Sequence, residues 1–155
     1  MKSLKFKAIS FNNHKKQFLF TYASGKKAAV HYSQLGIVSP VSTVWIDKET
    51  RGQSIGFTLL SGETDFIPYD QPLALVKDSD YLLQNQIEII IAQIKDEIRD
   101  KKLSKKYLAE QLKTSDNQIQ RLLNPKILNK NLTQLYHILT LLKLEPEFRL
   151  HKAAA

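Results

Sequence analysis

LSKKYLAEQLKTSDNQIQRLLNP, residues Leu103–Pro125, contains the signals for two short helices joined by a polar turn. Ser104 is a residue type that caps helix N-termini, so we expect a first helix over Lys105–Leu112. Ser115 offers a second N-cap, and a second helix is expected over Asp116–Leu123. The proline that closes the stretch disfavours a helical residue before it and ends the second helix.

Each predicted helix has one apolar and one polar face. The apolar side chains expected to turn inward are Leu108, Ala109, Leu112, Ile119, Leu122 and Leu123. Asp116 and Gln120 lie one helical turn apart on the outward face, as do Asn117 and Arg121. Helices this short are unstable alone, so they must pack against longer neighbours. Four polar side chains are then held outward with no packing partner.

Longer amphipathic helices are predicted on both sides of this stretch. Isoleucines recur at helical spacing over Ile87–Ile98. The apolar pattern over Leu132–Leu142 predicts another helix, with Asn129 or Asn131 as its N-cap. Proline within residues 145–147 suits a first helical position, so a final turn is expected there.

These residues resemble the helix-turn-helix of the lambda-repressor/Cro, or XRE-type, family. Leu103-Ser104, Leu108-Ala109 and Thr114-Ser115 match the frame of that family, and the resemblance covers about Ile87–Phe148. The family implies five helices, of which the third lies in the major groove of DNA. Lys113 stands in the turn where the family usually has glycine, and a left-handed residue other than glycine costs roughly 1–2 kcal/mol.

The resemblance also implies a set of DNA contacts and a partner. The base-reading residues, on the helix 116–123, would be Asp116, Asn117, Gln120 and Arg121. The phosphate-contacting residues would be Lys105, Lys106, Ser115, Asn124, Lys126 and Lys130. The implied partner is a double-stranded DNA operator. A homodimer is expected to bind it, because a single recognition helix reads only a few base pairs.

The distribution of charge bears on this interpretation. The chain has a net charge of +8, and residues 101–130 contain eight basic and two acidic residues, a local charge of +6. Such a cluster is typical of a surface that binds phosphates. A lysine-rich solvated surface without a nucleic-acid partner has the same composition, so both interpretations stay open.

The N-terminal half has the period of β-strands rather than helices. Alternating and aromatic-rich segments predict a small antiparallel sheet, with strands at Leu4–Phe11, Gln17–Tyr22, Ala28–Tyr32, Val41–Ile46, Ile55–Leu60 and Phe66-Ile67. Trp45, Phe57 and Phe66 are expected in its core. The segments GKKAAVHYSQLGI and SIGFTLLSGETDFIPYD resemble, more weakly, a small α+β domain of bacterial proteins that has no assigned function.

The expected fold class is therefore α+β, in two domains. A small antiparallel β-sheet domain is predicted over residues 1–76, followed by a linker or the start of a helix over 77–86. An all-α, five-helix, lambda-repressor-like helix-turn-helix domain is predicted over 87–152. The last three residues, 153–155, resemble a cloning remnant.

The expected function is sequence-specific binding of double-stranded DNA by a transcriptional repressor or autoregulator. The alternative is an antitoxin, whose N-terminal domain binds a toxin protein and whose C-terminal domain represses the operon. An enzyme is not expected, because the histidines are scattered without metal-ligand spacing and the five glycines are isolated. No cofactor is implied. No apolar run reaches the roughly 18 residues of a membrane span, and with no cysteine the chain suits the cytoplasm.

Overall fold

The computed structural model describes residues 4–153, which form two compact units. The first, here called the sheet unit, is Met1–Leu82, and the second, the helical unit, is Leu83–Ala155. Each unit has its own cluster of buried apolar side chains. Residues 1–3 of the expected first domain and residues 154–155 of the expected cloning remnant lie outside the described residues.

The sheet unit begins with a three-stranded antiparallel sheet in the order β1–β2–β3. Its strands are β1 (Phe6–Asn12), β2 (Gln17–Tyr22) and β3 (Lys27–His31). Side chains alternate between the faces of a strand, so β2 buries Phe18, Phe20 and Tyr22 on one face. This alternation is the pattern from which the strand was predicted.

A second three-stranded antiparallel sheet follows, in the order β4–β5–β6. Its strands are β4 (Val41–Ile46), β5 (Ser54–Leu59) and β6 (Thr64–Pro68). The prediction of one small sheet is therefore wrong, since the six strands form two. The chain leaves β3 through a 3-10 turn over Tyr32–Leu35, which ends on Gly36 at φ 70°. Within residues 4–153, β3 and β4 are not hydrogen-bonded to each other.

Aromatic rings from both sheets meet in the core of the sheet unit. The centroid of the Phe18 ring lies 5.0 Å from that of Tyr32 and 5.6 Å from that of Phe57. All three side chains are buried, so the prediction that Phe57 is a core residue is confirmed. Burial of such large rings is the main apolar contribution to the stability of this unit.

Trp45 and Phe66 lie on the outer face of the second sheet, and the prediction that they belong to the core is wrong. Their side chains are 37% and 50% exposed. Gly56 is paired with both in the strand register, and a Cβ atom there would collide with the Trp45 indole. The two rings form an edge-to-face pair with centroids 6.1 Å apart. Their positions have the opposite parity to Ile46 and Ile67, which face the core.

Two helices follow the strands. The short α1 (Asp70–Leu75) precedes α2 (Ser79–Asp100), a helix of 22 residues. The predicted isoleucine face is confirmed, because Ile87, Ile91 and Ile94 are buried. Ile90 and Ile98 are partly buried beside them.

Three short helices complete the helical unit: α3 (Lys105–Gln111), α4 (Asp116–Leu122) and α5 (Leu132–Leu141). With α2, the described part of this unit has one long helix and three short ones, so the predicted all-α five-helix domain is wrong. Residues 144–153 form no regular element. Phe148 and Leu150 are 70% and 93% exposed. A last turn without a buried apolar face has nothing to stabilise it as a helix.

The predicted N-cap of the last helix is present in the structure. Asn131 is the N-cap of α5, and its side chain accepts a hydrogen bond from the Gln134 N–H. No helix formed by residues 4–153 combines the length and the apolar character needed to cross a membrane.

Candidate nucleic-acid interface

Helix α3 is positioned by its cap and by two buried residues. The Ser104 hydroxyl accepts a hydrogen bond from the Tyr107 N–H at 3.0 Å, as the cap signal predicts. Leu108 is fully buried and Ala109 is 5% exposed. Because alanine is small, the backbone of α4 can approach α3 closely at this point. The outer side of α3 presents Lys105 and Lys106 to solvent.

The turn between α3 and α4 is left-handed at a lysine. Lys113 has φ 53°, and the Thr114 N–H donates to the Ala109 carbonyl at 2.9 Å. This is the bond that closes a helix when the residue after its C-cap is left-handed, a position that glycine usually occupies. Lys113 therefore adopts a conformation that usually belongs to glycine, despite the cost of roughly 1–2 kcal/mol that its Cβ atom brings.

Helix α4 has a buried face and an exposed face. The Ser115 hydroxyl accepts from the Gln118 N–H at 3.2 Å and caps the helix. Ile119 and Leu122 are buried, at 1% and 4% exposure. The C-cap is Leu123, one residue before the Asn-Pro pair. The buried side chains fix the rotation of the helix about its axis and therefore which side chains face outward.

The four predicted base-reading residues all lie on the exposed side of α4. These residues, here called the α4 ridge, are Asp116, Asn117, Gln120 and Arg121. Within residues 4–153, none of their side chains forms a hydrogen bond or an ion pair. Their polar groups are therefore free to meet a partner. The ridge presents an acceptor, two amides and one guanidinium on adjacent turns.

The predicted phosphate-contacting residues fall into two groups. Lys105, Lys106 and Lys126 are exposed and, within the described chain, their ammonium groups have no ion pair. The side chains of Ser115 and Asn124 accept hydrogen bonds from nearby backbone N–H groups instead. The first group provides free positive charge, and the second contributes to local structure.

The Lys130 side chain binds the C-terminal end of α4. Its ammonium group donates to the carbonyl oxygens of Arg121 at 2.8 Å and Asn124 at 2.6 Å. The Arg121 carbonyl also accepts from the Asn124 N–H at 3.3 Å, and the Asn124 carbonyl accepts from the Ile127 N–H at 3.2 Å. The lysine adds a charged donor to both oxygens and so acts as a C-terminal cap. Burial lowers the pKa of Lys130, and the nearby charges of Lys95 and Arg121 lower it further. Two of its three protons are thus already used inside the unit.

A cleft that the sequence analysis did not predict lies beside the α4 ridge. This basic cleft has a volume of about 550 Å³. Its lining residues are Lys95, Ile98, Arg99, Lys102, Leu103, Lys105, Leu108, Gln120, Leu123, Asn124 and Pro125. Lys95, Arg99 and Lys102 follow each other at helical spacing, and that signal is present in the sequence. Only the fold, however, brings the end of α4 against these residues.

Comparison of the chain with protein-family models, with characterised proteins and with solved structures yields no match. What the helical unit can bind therefore has to be inferred from the chemistry of its exposed side chains. Among residues 4–153, no group of three or more His, Cys, Asp or Glu side chains is arranged to hold a metal ion.

Proposed function

We propose that this protein is a sequence-specific, double-stranded DNA-binding transcriptional regulator of the cytoplasm, a repressor or autoregulator that reads the major groove with α4. The observation that supports this most directly is the α4 ridge. An α-helix fits the major groove of B-form DNA, where each base pair presents a distinct pattern of donors and acceptors. The ridge offers unpaired side chains of the types that match those patterns.

Each residue of the ridge has a base-reading chemistry. Arg121 can donate two parallel hydrogen bonds to guanine, and the amides of Asn117 and Gln120 can pair with adenine. Asp116 repels phosphates, but its carboxylate can accept from the amino group of cytosine. A helix with all four side chains free has the groups for a short, defined sequence rather than for DNA in general.

Positioning on the duplex falls to lysines that flank the ridge. Lys105, Lys106 and Lys126 are exposed without ion pairs in the described chain. Contacts of this kind fix the register of a protein on DNA but carry no sequence information. They also make binding dependent on salt, because phosphates release counterions when they are neutralised.

Dimeric binding is part of this proposal. One recognition helix reads too few base pairs to select a site in a genome, so two half-sites about 34 Å apart, or a multiple of that spacing, are expected. Sedimentation of the protein alone and on its selected duplex checks this point. A protein that is monomeric without DNA and binds the duplex as a single copy contradicts it.

The sheet unit favours a second candidate, an antitoxin that also binds a toxin protein. The exposed edge-to-face pair of Trp45 and Phe66 supports a protein-contacting role. Aromatic side chains are enriched at protein interfaces, and Gly56 leaves the space that the indole occupies. A toxin gene beside this reading frame, and rescue of growth on co-expression that Trp45→Ala abolishes, would favour this candidate over a regulator alone.

The main proposal is tested by selection of duplexes from a random library with the full chain. A common motif is expected in the selected duplexes, and the best of them should bind about 10³-fold or more tightly than random duplex at one salt concentration. A selection that yields no motif, with equal affinity for selected and random duplexes, contradicts sequence-specific binding.

A further inference from the structure

We propose that the basic cleft binds a small organic anion, a molecule with an apolar body and one carboxylate, sulfonate or phosphate group. The volume of the cleft, about 550 Å³, falls within the roughly 300–1,000 Å³ typical of small-molecule sites. It is much larger than a phosphate group alone. The cleft lies wholly in the helical unit, so its geometry depends on one core.

The floor of the cleft is apolar. Its apolar lining residues are Ile98, Leu103, Leu108, Leu123 and Pro125. Leu108 and Leu123 belong to the core of the unit and expose almost no surface, whereas Ile98 and Leu103 are only partly buried and expose apolar surface. Apolar surface that faces an open cleft remains in contact with water, and covering it with an apolar ligand is favourable. A hydrated inorganic ion would leave this part of the surface uncovered.

The rim of the cleft is positive and uncompensated. Lys95, Lys102 and Lys105 line it, and within residues 4–153 none of these ammonium groups has an ion pair. The Arg99 guanidinium is already held by Asp96 at 2.8 Å. No acidic side chain of the described residues lines the cleft. An anionic group on the ligand would therefore meet only positive or neutral side chains.

The charge crowding extends behind the cleft. After burial, the neighbouring charge of Lys95 is the largest cause that lowers the pKa of Lys130. The cations on this side of the unit thus repel one another. A bound anion would relieve that repulsion, while a neutral ligand would not.

Three residues connect the cleft with the DNA-contacting surface. Lys105, Gln120 and Asn124 line the cleft and also belong to the predicted phosphate- and base-contacting sets. An occupant would engage the same side chains as the duplex, so we expect it to weaken DNA binding. This consequence rests on the proposed function, whereas binding of the anion itself does not.

Fluorescence titration of the full chain with anilinonaphthalene sulfonate, in the absence of DNA, tests the proposal. This dye has an apolar aromatic body and a fixed negative charge, and its emission rises on transfer from water. Saturable binding is expected, and inorganic phosphate at the same concentration should not displace the dye. Equal binding of the uncharged analogue phenylnaphthylamine would overturn the proposal, as would displacement by inorganic phosphate.

Lys102→Glu and Lys113→Glu form a matched pair for locating the site. Both lysines are exposed, both follow a helix, and both are left-handed, at φ 55° and 53°. Only Lys102 lines the cleft. Reversal of a rim charge should weaken dye binding about tenfold, while Lys113→Glu should leave it within about twofold because screening reduces distant charges. Equal effects of the two substitutions would overturn the assignment.

Two further measurements complete the test: amide chemical shifts on addition of the dye, and binding of the selected duplexes by the same protein. The dye should move amide signals within 98–105 and 120–124, and shifts confined to the exposed aromatic face around Trp45 would overturn the location. Dye binding without any binding of selected duplexes removes the proposed function and leaves the ligand site intact. Duplex binding without dye binding removes only the ligand site.

Discussion

The two units differ in their use of glycine where the backbone is left-handed. In the described part of the sheet unit, Gly25, Gly36, Gly52 and Gly62 have positive φ, together with Lys16, Arg51 and Lys77. The helical unit has no glycine, and its left-handed residues are Lys102, Lys113 and Lys143. Each of these three lysines directly follows the C-cap region of a helix. A conformation that glycine adopts without strain is thus adopted by a basic side chain instead.

The position of these lysines offsets part of the strain. A left-handed residue other than glycine costs roughly 1–2 kcal/mol. A cation near a helix C-terminus stabilises it by about 0.3–1 kcal/mol. Two more lysines stabilise helix ends through their side chains, since Lys101 donates to the Leu142 carbonyl at 2.7 Å and Lys130 caps α4. Positive charge therefore stabilises helix ends in the helical unit.

This comparison changes the interpretation of the local charge of +6. Of the eight basic residues in 101–130, those at helix ends are Lys101, Lys102, Lys113 and Lys130. Those that are exposed on α3, on α4 or just beyond it are Lys105, Lys106, Arg121 and Lys126. In the first group, only the ammonium groups of Lys101 and Lys130 are engaged by backbone carbonyls. The positive charge available for phosphates is therefore smaller by two than a count of the sequence indicates.

The largest effects are expected from substitutions that each remove a buried side chain from one of the two apolar cores. Leu108→Ala should lower the stability of the helical unit by about 2–5 kcal/mol, and Phe18→Ala that of the sheet unit by about 3–5 kcal/mol, because both side chains are fully buried. Urea unfolding can be followed by the fluorescence of Trp45, the only tryptophan, and by circular dichroism of the helices.

Leu108→Ala should shift the dichroism transition and leave the Trp45 transition in place, and Phe18→Ala should do the reverse. The wild-type chain, measured with both signals, is the control. A common shift of both transitions in either variant would show one cooperative unit, and the comparison between two units would then fail.

The next effect separates DNA-reading charge from positioning charge. Arg121→Ala should weaken binding to the selected duplex by about 1–3 kcal/mol, and binding to random duplex much less, because a guanidinium pairs with base edges. Lys105→Ala should weaken both about equally and lower the salt slope by about 1.

Titration of both duplexes across a salt series measures these changes. Lys101→Ala is a suitable control, because its ammonium is committed to the Leu142 carbonyl and its loss should affect stability rather than specificity. If Arg121→Ala and Lys105→Ala behave alike on both duplexes, the base-reading role of Arg121 is wrong.

The sequence predicted most elements because its signals were local. The caps Ser104 and Ser115 and the isoleucine face of α2 depend only on neighbouring residues, and they are present in the structure. The division of six strands into two sheets depends on pairing between distant segments, which alternation does not encode. The exposure of Trp45 was missed because a large aromatic side chain on a strand is usually buried.

In the candidate site, too, local features were predictable and contacts between distant residues were not. The spacing within Asp116–Leu122 was sufficient to predict which side chains of α4 face outward. The capping role of Lys130 and the basic cleft were not predictable, because they join residues from different helices. The fifth helix that was predicted and is not formed is a similar case, since nothing local shows that residues after Leu144 stay exposed.

The comparison of glycine and lysine turns predicts opposite signs for two substitutions. Gly36→Ala should destabilise the sheet unit by about 1 kcal/mol. Gly36 has φ 70° and no atom within 4 Å of a Cβ position, so the cost is that of the backbone alone. Lys113→Gly should stabilise the helical unit by about 0.5 kcal/mol, because the relief of left-handed strain exceeds the larger entropy loss of glycine.

Lys106→Gly is the matched control, because it places glycine in the ordinary helical backbone of α3 and should cost about 1 kcal/mol. Thermal unfolding followed by circular dichroism compares the two glycine variants. If Lys113→Gly destabilises the unit as much as Lys106→Gly does, the lysine turns are not strained and the two units do not differ in this respect.

An effect of similar size concerns a lysine of the sheet unit that forms an ion pair. The Lys26 ammonium donates to Asp78 at 2.8 Å and to Asp80 at 3.0 Å, and Asp78 also accepts from the Tyr81 N–H at the start of α2. Lys26→Met retains the aliphatic stem and should cost about 0.5–1 kcal/mol, since a side chain that is 32% exposed is partly screened by water. Asp80→Asn should cost less, because the Asp80 side chain is 75% exposed.

The pH dependence of this pair distinguishes it from a packing effect. The hydrogen bond to Asp78 raises the pKa of Lys26; burial opposes ionisation of Asp78, but its bonds from Lys26 and Tyr81 lower its pKa overall. The carboxylate contribution is therefore present above the unfolded value of about 3.9 and is lost as the pH falls through the lower folded value. The ammonium contribution is present below about 10.4 and is lost only as the pH rises through the higher folded value.

The difference in unfolding free energy between the wild type and Lys26→Met should be constant between about pH 5 and 9 and shrink in acid. A difference that stays the same in strong acid would mean that Lys26 stabilises the sheet unit through its stem and not through its charge.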